Sequence, residues 1–400
     1  MPQFNKQLER FQPSAINTVF SLASKLKSEG KDIVDLSIGE PDFDTPAHIK
    51  AAAIHAIESD QTKYTPSDGA KDLKQAVVNK FKRENNLSYN TNQIAIDSGV
   101  KPLLFHVMKT LLDEGSEVIV PTPCWTSYPG MVMLAGGEPV FVACPQDKGF
   151  KLQAADLEAA INDNTRLVML NSPSNPTGAA YSVDEMKSLT DVLVKYPHVW
   201  VLADDIYEHI VFDGFVNANP AAVEPKLYDR TIVLNGVSKA YCMTGWRIGY
   251  AASSETFMQM LLKVLSQGAG CPCSVSQAAA VAALEGPQEY LKSWATTYQE
   301  RRDYLVKRLD AIEGIECNSP EGAFYLYPGF TALIGKKTPQ GNEIKDSIDF
   351  VSYLLEHALV AVVPGSAFEY ENHFRLSYAT SLSELEKACD RIVLAVEALS

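Results

Sequence analysis

From about residue 93 to residue 252 the chain repeats one pattern. A short β-branched, apolar run is closed by Gly, Pro, Asn or Asp, and longer stretches with helical spacing lie between the runs. The runs are QIAID, EVIVP, PVFVA, RLVMLN, VWVLAD, TIVLNG and RIGYAA, and the stretch PLLFHVMKTLL after the first has apolar residues on one helical face. Alternation of this kind predicts an α/β fold, with a mostly parallel seven-stranded sheet between helices. After about residue 285 the pattern changes. A long helix through EYLKSWATTYQERRDYLVKRLDAI, isolated strands in AFYLYP and HFRLSYA, and a final helix predict a smaller α+β unit. The expected division is a large domain over 46–285, and a small one built from 1–45 and 286–400.

The unusual polar residues fall where the predicted strands end: SGVK, NSPSNPTG, ADDIYE and GVSKAY each follow an apolar run. In open α/β sheets ligands lie beyond the carboxyl ends of the strands, so these four loops should converge on one crevice.

Composition narrows the class. The chain has 400 residues, 46% hydrophobic and 21% charged, with no apolar run long enough to span a bilayer. Its net charge is −14 and its cations are scattered, which argues against a nucleic-acid surface. The polar N-terminal stretch MPQFNKQLERFQPS lacks the apolar core of a secretory signal, so a cytoplasmic protein is expected. Seven cysteines show no paired metal-ligand spacing, and the one close pair, CPC at Cys271–Cys273, reads as buried free thiols.

The most informative stretch is GVSKAYCMTGWRIG, residues 236–249. A lysine in apolar surroundings loses hydration, which lowers its pKa and frees the amine as nucleophile or base. Arg247 offers a planar fork that suits phosphate or carboxylate. A lysine to bond a carbonyl and an arginine to hold a phosphate are what pyridoxal phosphate requires. Asp204 ends an apolar strand, where a carboxylate needs a partner: a pyridinium nitrogen, a helix N-terminus or an internal cation. Tyr207 either bonds the ring's phenolic oxygen or packs in the core. NPTG, with Asn175, is either a turn or part of a site. SGVK, with Gly99, opens a helix whose free N–H groups attract phosphate. Trp125 in PTPCWTSY either stacks on a planar cofactor or belongs to the core.

In this order, with LSIGEPDFDTP near the start and FRLSYA near the end, these motifs resemble the fold type I, class I pyridoxal-phosphate aminotransferases. The bacterial aspartate aminotransferase branch is the most similar, over nearly the whole chain. The resemblance implies that Lys239 holds the cofactor as a Schiff base, that Asp204 pairs with the pyridine nitrogen, and that Asn175 and Tyr207 face the phenolic oxygen. It implies that Trp125 lies over the ring, and that Arg247, Ser238 and the backbone of Gly99 and Val100 take the phosphate. Tyr64 would reach the phosphate of a neighbouring subunit, which implies a homodimer. Arg375 and the N–H of Gly39 would hold the substrate α-carboxylate, with Lys101 toward a side-chain carboxylate.

The expected reaction moves an amino group from an L-amino acid to a 2-oxo acid in two half-reactions, aspartate and 2-oxoglutarate leading. Apolar or aromatic donors are favoured instead by Ile16, where acid-specific relatives carry a hydroxyl. Carbon–sulfur β-lyases share the cofactor residues and form a further alternative. One departure concerns the phosphate: many relatives carry a hydroxyl three residues before the lysine, where this chain has Gly236, leaving Ser238 as the adjacent hydroxyl.

Overall fold

The structure is a computed structural model that describes residues 8, 10, 16–268 and 270–400. A two-residue strand β1 (Val34–Asp35) precedes the main sheet. All seven predicted runs then form strands: β2 (Ile94–Asp97), β3 (Glu117–Thr122), β4 (Glu138–Ala143), β5 (Thr165–Asn171), β6 (Trp200–Asp204), β7 (Thr231–Gly236) and β8 (Gly249–Ala252). They make one sheet in the order β2-β8-β7-β6-β5-β3-β4. Pairing is parallel from β4 to β7, whereas β8 runs antiparallel to both β7 and β2. The reason is the connection: a parallel return needs a crossover, usually a helix. Residues 237–248 hold only turns, the short 3-10 turn Thr244–Trp246 among them, and no crossover helix, so the chain reverses beside its own strand.

Strands β2, β7 and β8 are buried throughout, because helices cover both faces of the sheet. The helix Val100–Leu111 is one of these covers; it presses Leu103, Leu104, Val107 and Met108 onto the sheet, which is the spacing that predicted it. Strand β4 has the same apolar lettering but lies at the edge, where Phe141 remains 44% exposed.

Beyond residue 285 the helix Glu289–Leu309 forms as expected, and the final helix is Leu382–Glu397. The predicted strands appear as β9 (Tyr325–Leu326) and, after β10 (Val360–Ala361) and β11 (Val363–Pro364), as β12 (Phe374–Ser377). Strand β12 lies antiparallel between β11 and β9, while β10 pairs in parallel with β1. One apolar core unites Val34 and Leu36 with Leu305, Phe324, Phe350 and Leu376. It also takes in Ile206, Tyr207, Ile210 and Phe212 from the segment after β6.

All seven cysteines are free, but CPC is not buried as expected: Cys273 is exposed and Cys271 partly so. The reason is position, since Cys273 caps the start of the helix Ser274–Glu285 at the surface. No helix among the described residues is long and apolar enough to cross a membrane.

Candidate active site

The four loops do converge. A cavity of about 580 Å³ opens at the carboxyl ends of β5, β6 and β7, with its far wall supplied by β12 and the segment after β1. The helix start contributes Val100 and Lys101, the loop after β3 contributes Trp125, and NPTG contributes Asn175. Asp204 and Tyr207 enter from the end of β6; Ser238, Lys239 and Arg247 from the link between β7 and β8. Gly39 and Arg375 complete the far wall. Of the expected residues, Gly99 lies just behind Arg247, and Tyr64 is outside the cavity with 96% of its surface exposed. Ile16 begins the helix Ile16–Ser28, but its side chain lies outside the described residues.

The Lys239 ammonium group forms no ion pair with a carboxylate among the described residues. Its Nζ donates to the Gly39 carbonyl at 2.6 Å, and its nearest ring faces are Tyr207 and Phe324, about 6 Å away. Burial pushes its pKa down to about 8, assisted by the Arg375 and Arg247 cations and opposed by Glu40 and Asp204. A measurable share of free amine therefore exists at neutral pH.

Asp204 is the complement. Its Oδ2 accepts a 2.6 Å bond from the Tyr128 hydroxyl, while its Oδ1 is buried and makes no hydrogen bond among the described residues. Burial raises this carboxyl to about 6, against the pull of the Tyr128 hydroxyl, the Ile206 amide and the Lys239 cation. An orphaned buried carboxylate oxygen is costly, and a cationic N–H at that point would satisfy it.

Around Arg375 the polar groups are arranged for an anion. Its Nη1 donates to Asn175 Oδ1 at 2.9 Å, its Nη2 to the Ser37 carbonyl at 2.7 Å, and its Nε is buried without a partner. The guanidinium also lies over the Tyr325 ring, 4.7 Å from its centre. Tyr325 in turn shares a 2.9 Å hydrogen bond with the Tyr207 hydroxyl, and burial holds Tyr207 well above the ordinary phenol range. Tyr207 therefore stays neutral and able to donate.

The phosphate side is a cradle built from missing side chains. Gly99 has φ +104°, and a Cβ there would lie 2.3 Å from Arg247 Nη2. The guanidinium thus occupies the space that a side chain would fill, beside the uncapped start of the helix Val100–Leu111. At Gly236 a Cβ would meet the Ile248 carbonyl at 2.9 Å and Val100 Cγ2 at 3.1 Å. No hydroxyl fits there, so Ser238, which does line the cavity, is the hydroxyl available.

Sequence reasoning missed Tyr128, Tyr325, Ser37 and the Glu40–Thr244 hydrogen bond at the cavity wall. Tyr128 had a local signal, since CWTSY places it three residues after Trp125. The others act through a carbonyl or from distant parts of the chain, where no local pattern marks them.

The sequence profile of the family described as aminotransferase class I and II matches residues 31–392. Aspartate aminotransferase of Rhizobium meliloti (strain 1021) is 52% identical over 387 residues, 97% of this chain and 94% of that protein. The aspartate/prephenate aminotransferase of Cereibacter sphaeroides is 49% identical, covering 96% of each chain. The crystal structure of the aspartate aminotransferase from Rhizobium meliloti superposes with a TM-score of 0.98, at 50% identity and with all of both chains covered.

Proposed function

The chain belongs to the class I and II aminotransferases, and on that premise we propose that it transfers the amino group of aspartate to 2-oxoglutarate, with Lys239 and Asp204 at the centre. It is a pyridoxal-phosphate-dependent enzyme of the fold type I class. The observation that carries the site assignment is the pairing of a partnerless Asp204 Oδ1 with a carboxylate-free Lys239 amine in one cavity.

When bound, pyridoxal phosphate supplies the electron sink that makes an α-proton acidic. Lys239 would hold the cofactor covalently; once released, its Nζ carries the α-proton, a role suited to an amine whose pKa is about 8. Asp204 Oδ1 would accept the hydrogen bond of the ring N–H and keep that nitrogen protonated. Tyr207 would donate to the phenolic oxygen, and Asn175 would offer it Nδ2, since its Oδ1 is taken by Arg375. Arg247, Ser238 and the backbone N–H groups after Gly99 would hold the phosphate, with Trp125 across the ring. Arg375 and the Gly39 N–H would orient the substrate α-carboxylate. Lys101 forms no ion pair among the described residues and stands 5.4 Å from the Trp125 ring centre, where it would meet a side-chain carboxylate. In this reading residues 46–285 carry the cofactor, and 1–45 with 286–400 bring Gly39 and Arg375 to it.

Tyr64, exposed on a loop pinned by Gln277 through Thr65 Oγ1 at 3.0 Å, would reach the second subunit of a homodimer. Seven free cysteines suit a reducing, cytoplasmic setting. A second acceptor, prephenate, is favoured by the activity named for the Cereibacter relative and by the apolar lining at Ile38, Val363 and Phe368.

The test is a set of half-reactions followed by absorbance, comparing aspartate and glutamate with alanine and phenylalanine. Lys101→Ser should lower kcat/KM for the acidic donors by about one to two powers of ten and leave the apolar donors nearly unchanged. An equal fall for all donors would remove the acidic preference and leave the aminotransferase assignment standing.

A further inference from the structure

The segment from Asp204 to His209 sends its polar side chains in two directions. Asp204 and Tyr207 line the cavity, while the Glu208 side chain, 7% exposed, turns away behind it. Three groups converge on that carboxylate. Lys80, fully buried on the helix Lys71–Glu84, forms an ion pair with Oε1. Asn85 Nδ2 donates to Oε2 at 2.6 Å, and Asn235 Nδ2 donates to Oε1 at 2.5 Å. Lys80 is fixed in turn by Asn85 Oδ1 at 2.7 Å and by Glu84 at 3.5 Å. Ligand atoms of Glu84, Glu208 and His209 lie within 4.8 Å of one another, but the Lys80 ammonium already supplies the cation there, so a metal is not needed.

The consequence lies in what Asn235 carries. It stands near the end of β7, and its Oδ1 accepts the Gly236 amide at 2.7 Å; Lys239 follows Asn235 by four residues. The parallel ladder between β6 and β7 ends with Asp204 opposite Leu234 and the Asp205 amide donating to the Leu234 carbonyl at 2.9 Å. Beyond that point β6 and β7 share no further ladder bond to fix the turn bearing Tyr207 against the turn bearing Lys239, although β7 stays paired with β8 through Gly236. The Glu208–Asn235 bond fixes them. His209 adds a parallel tie, with Nε2 2.9 Å from Glu84 and its ring edge-on to Tyr241, two residues past Lys239.

We propose that Glu208 is a positioning residue for transamination, which, anchored by Lys80 and Asn85, sets through Asn235 the spacing between the Asp204–Tyr207 turn and Lys239. An ionised carboxylate suits the task because it only accepts, and three donors meet it; an amide would turn an N–H toward one of them. The inference rests on the roles proposed above for Asp204, Tyr207 and Lys239. Arg375 makes its hydrogen bonds to Asn175 and Ser37, outside this network, and meets it through the Tyr325 ring that bonds Tyr207, so substrate α-carboxylate binding should change less than cofactor binding and turnover.

The experiment uses the holoenzyme with two variants. Asn235→Ala cuts the tie to Lys239 and leaves the ion pair intact; the double variant Lys80→Met/Glu208→Gln removes both charges together, so that neither is left buried alone. Thermal stability, pyridoxal phosphate affinity by absorbance titration, kcat and KM are measured for each. Cofactor affinity and kcat should each fall about tenfold, with KM for the amino donor within about twofold of the parent. Affinity and kcat both within twofold of the parent would overturn the proposal, whatever the stability. So would a rise in KM matching the fall in kcat, which marks general loosening of the site. If Lys239→Ala is inactive while Asn235→Ala behaves like the parent, only this inference fails; an active Lys239→Ala removes the reading beneath it.

Discussion

Lys239 and Lys80 sit on opposite sides of the same short segment, Asp204–His209, and both have been taken out of bulk water. Lys80 is met by Glu208, Glu84 and Asn85, whereas Lys239 has a single carbonyl and two nearby guanidinium groups. Loss of water alone does not make a lysine reactive. What separates them is the choice of neighbours: one amine sits in ion pairs with carboxylates, and without such a pair burial brings the other to about 8. The carboxylate that might have neutralised Lys239, Asp204, is instead held by Tyr128 with one oxygen left open.

The largest effect that could break this contrast is on turnover. Lys239→Ala should lower transamination by at least about 10⁴-fold, since nucleophile and proton carrier go together. Single-turnover spectra with aspartate check it, and a near-parental rate would assign Lys239 to the same structural class as Lys80. The next effect is on stability and should be opposite in sign at the two sites. Lys80→Met leaves Glu208 buried without its cation and should cost about 3–5 kcal/mol in urea denaturation. Lys239→Met in cofactor-free protein removes an uncompensated cation. The drop from 10.5 to about 8 corresponds to a gain of up to about 3 kcal/mol at pH 7. Equal losses at both sites would mean that the two lysines are partnered alike.

The pH dependence sharpens the point. Between about 8 and 10.5 the Lys239 amine is protonated in the unfolded chain and free in the folded one. The unfolded state then binds more protons, so the stability of the cofactor-free protein rises with pH through that window, and the penalty is complete below 8. The advantage of Lys239→Met over the parent should shrink accordingly between pH 8 and 10.5, measured as paired denaturation curves. A constant difference would show that Lys239 keeps an ordinary pKa. The smallest effect concerns Asp204, one of two carboxylates that oppose the fall. Asp204→Asn should move the Lys239 midpoint further down, read from the pH dependence of its acylation by a neutral reagent. An upward movement would contradict the electrostatic account.

Much of this was legible in the letters. Seven apolar runs with polar punctuation determined seven strands, because strand and helix periodicities are local properties of the chain. The four loops that follow β2, β5, β6 and β7 were marked by residues unsuited to an ordinary turn, and they do surround one cavity. The reversal of β8 was not marked, since its apolar run reads like the others and only the missing crossover dictates direction. Nor could lettering tell the two faces of DDIYEH apart: Asp204 and Asp205 are adjacent acids, yet one faces the cavity and the other bonds Asn219 at 2.7 Å. Arg375 and Asn175 meet from 200 positions apart, and Lys80 meets Glu208 from 128. The sequence by itself determined which residue types stand at the strand ends and hence which chemistry was available. Only the tertiary structure decided which buried lysine kept a counter-charge and which did not, because a pKa is set by the groups within a few ångströms, and those come from every part of the chain.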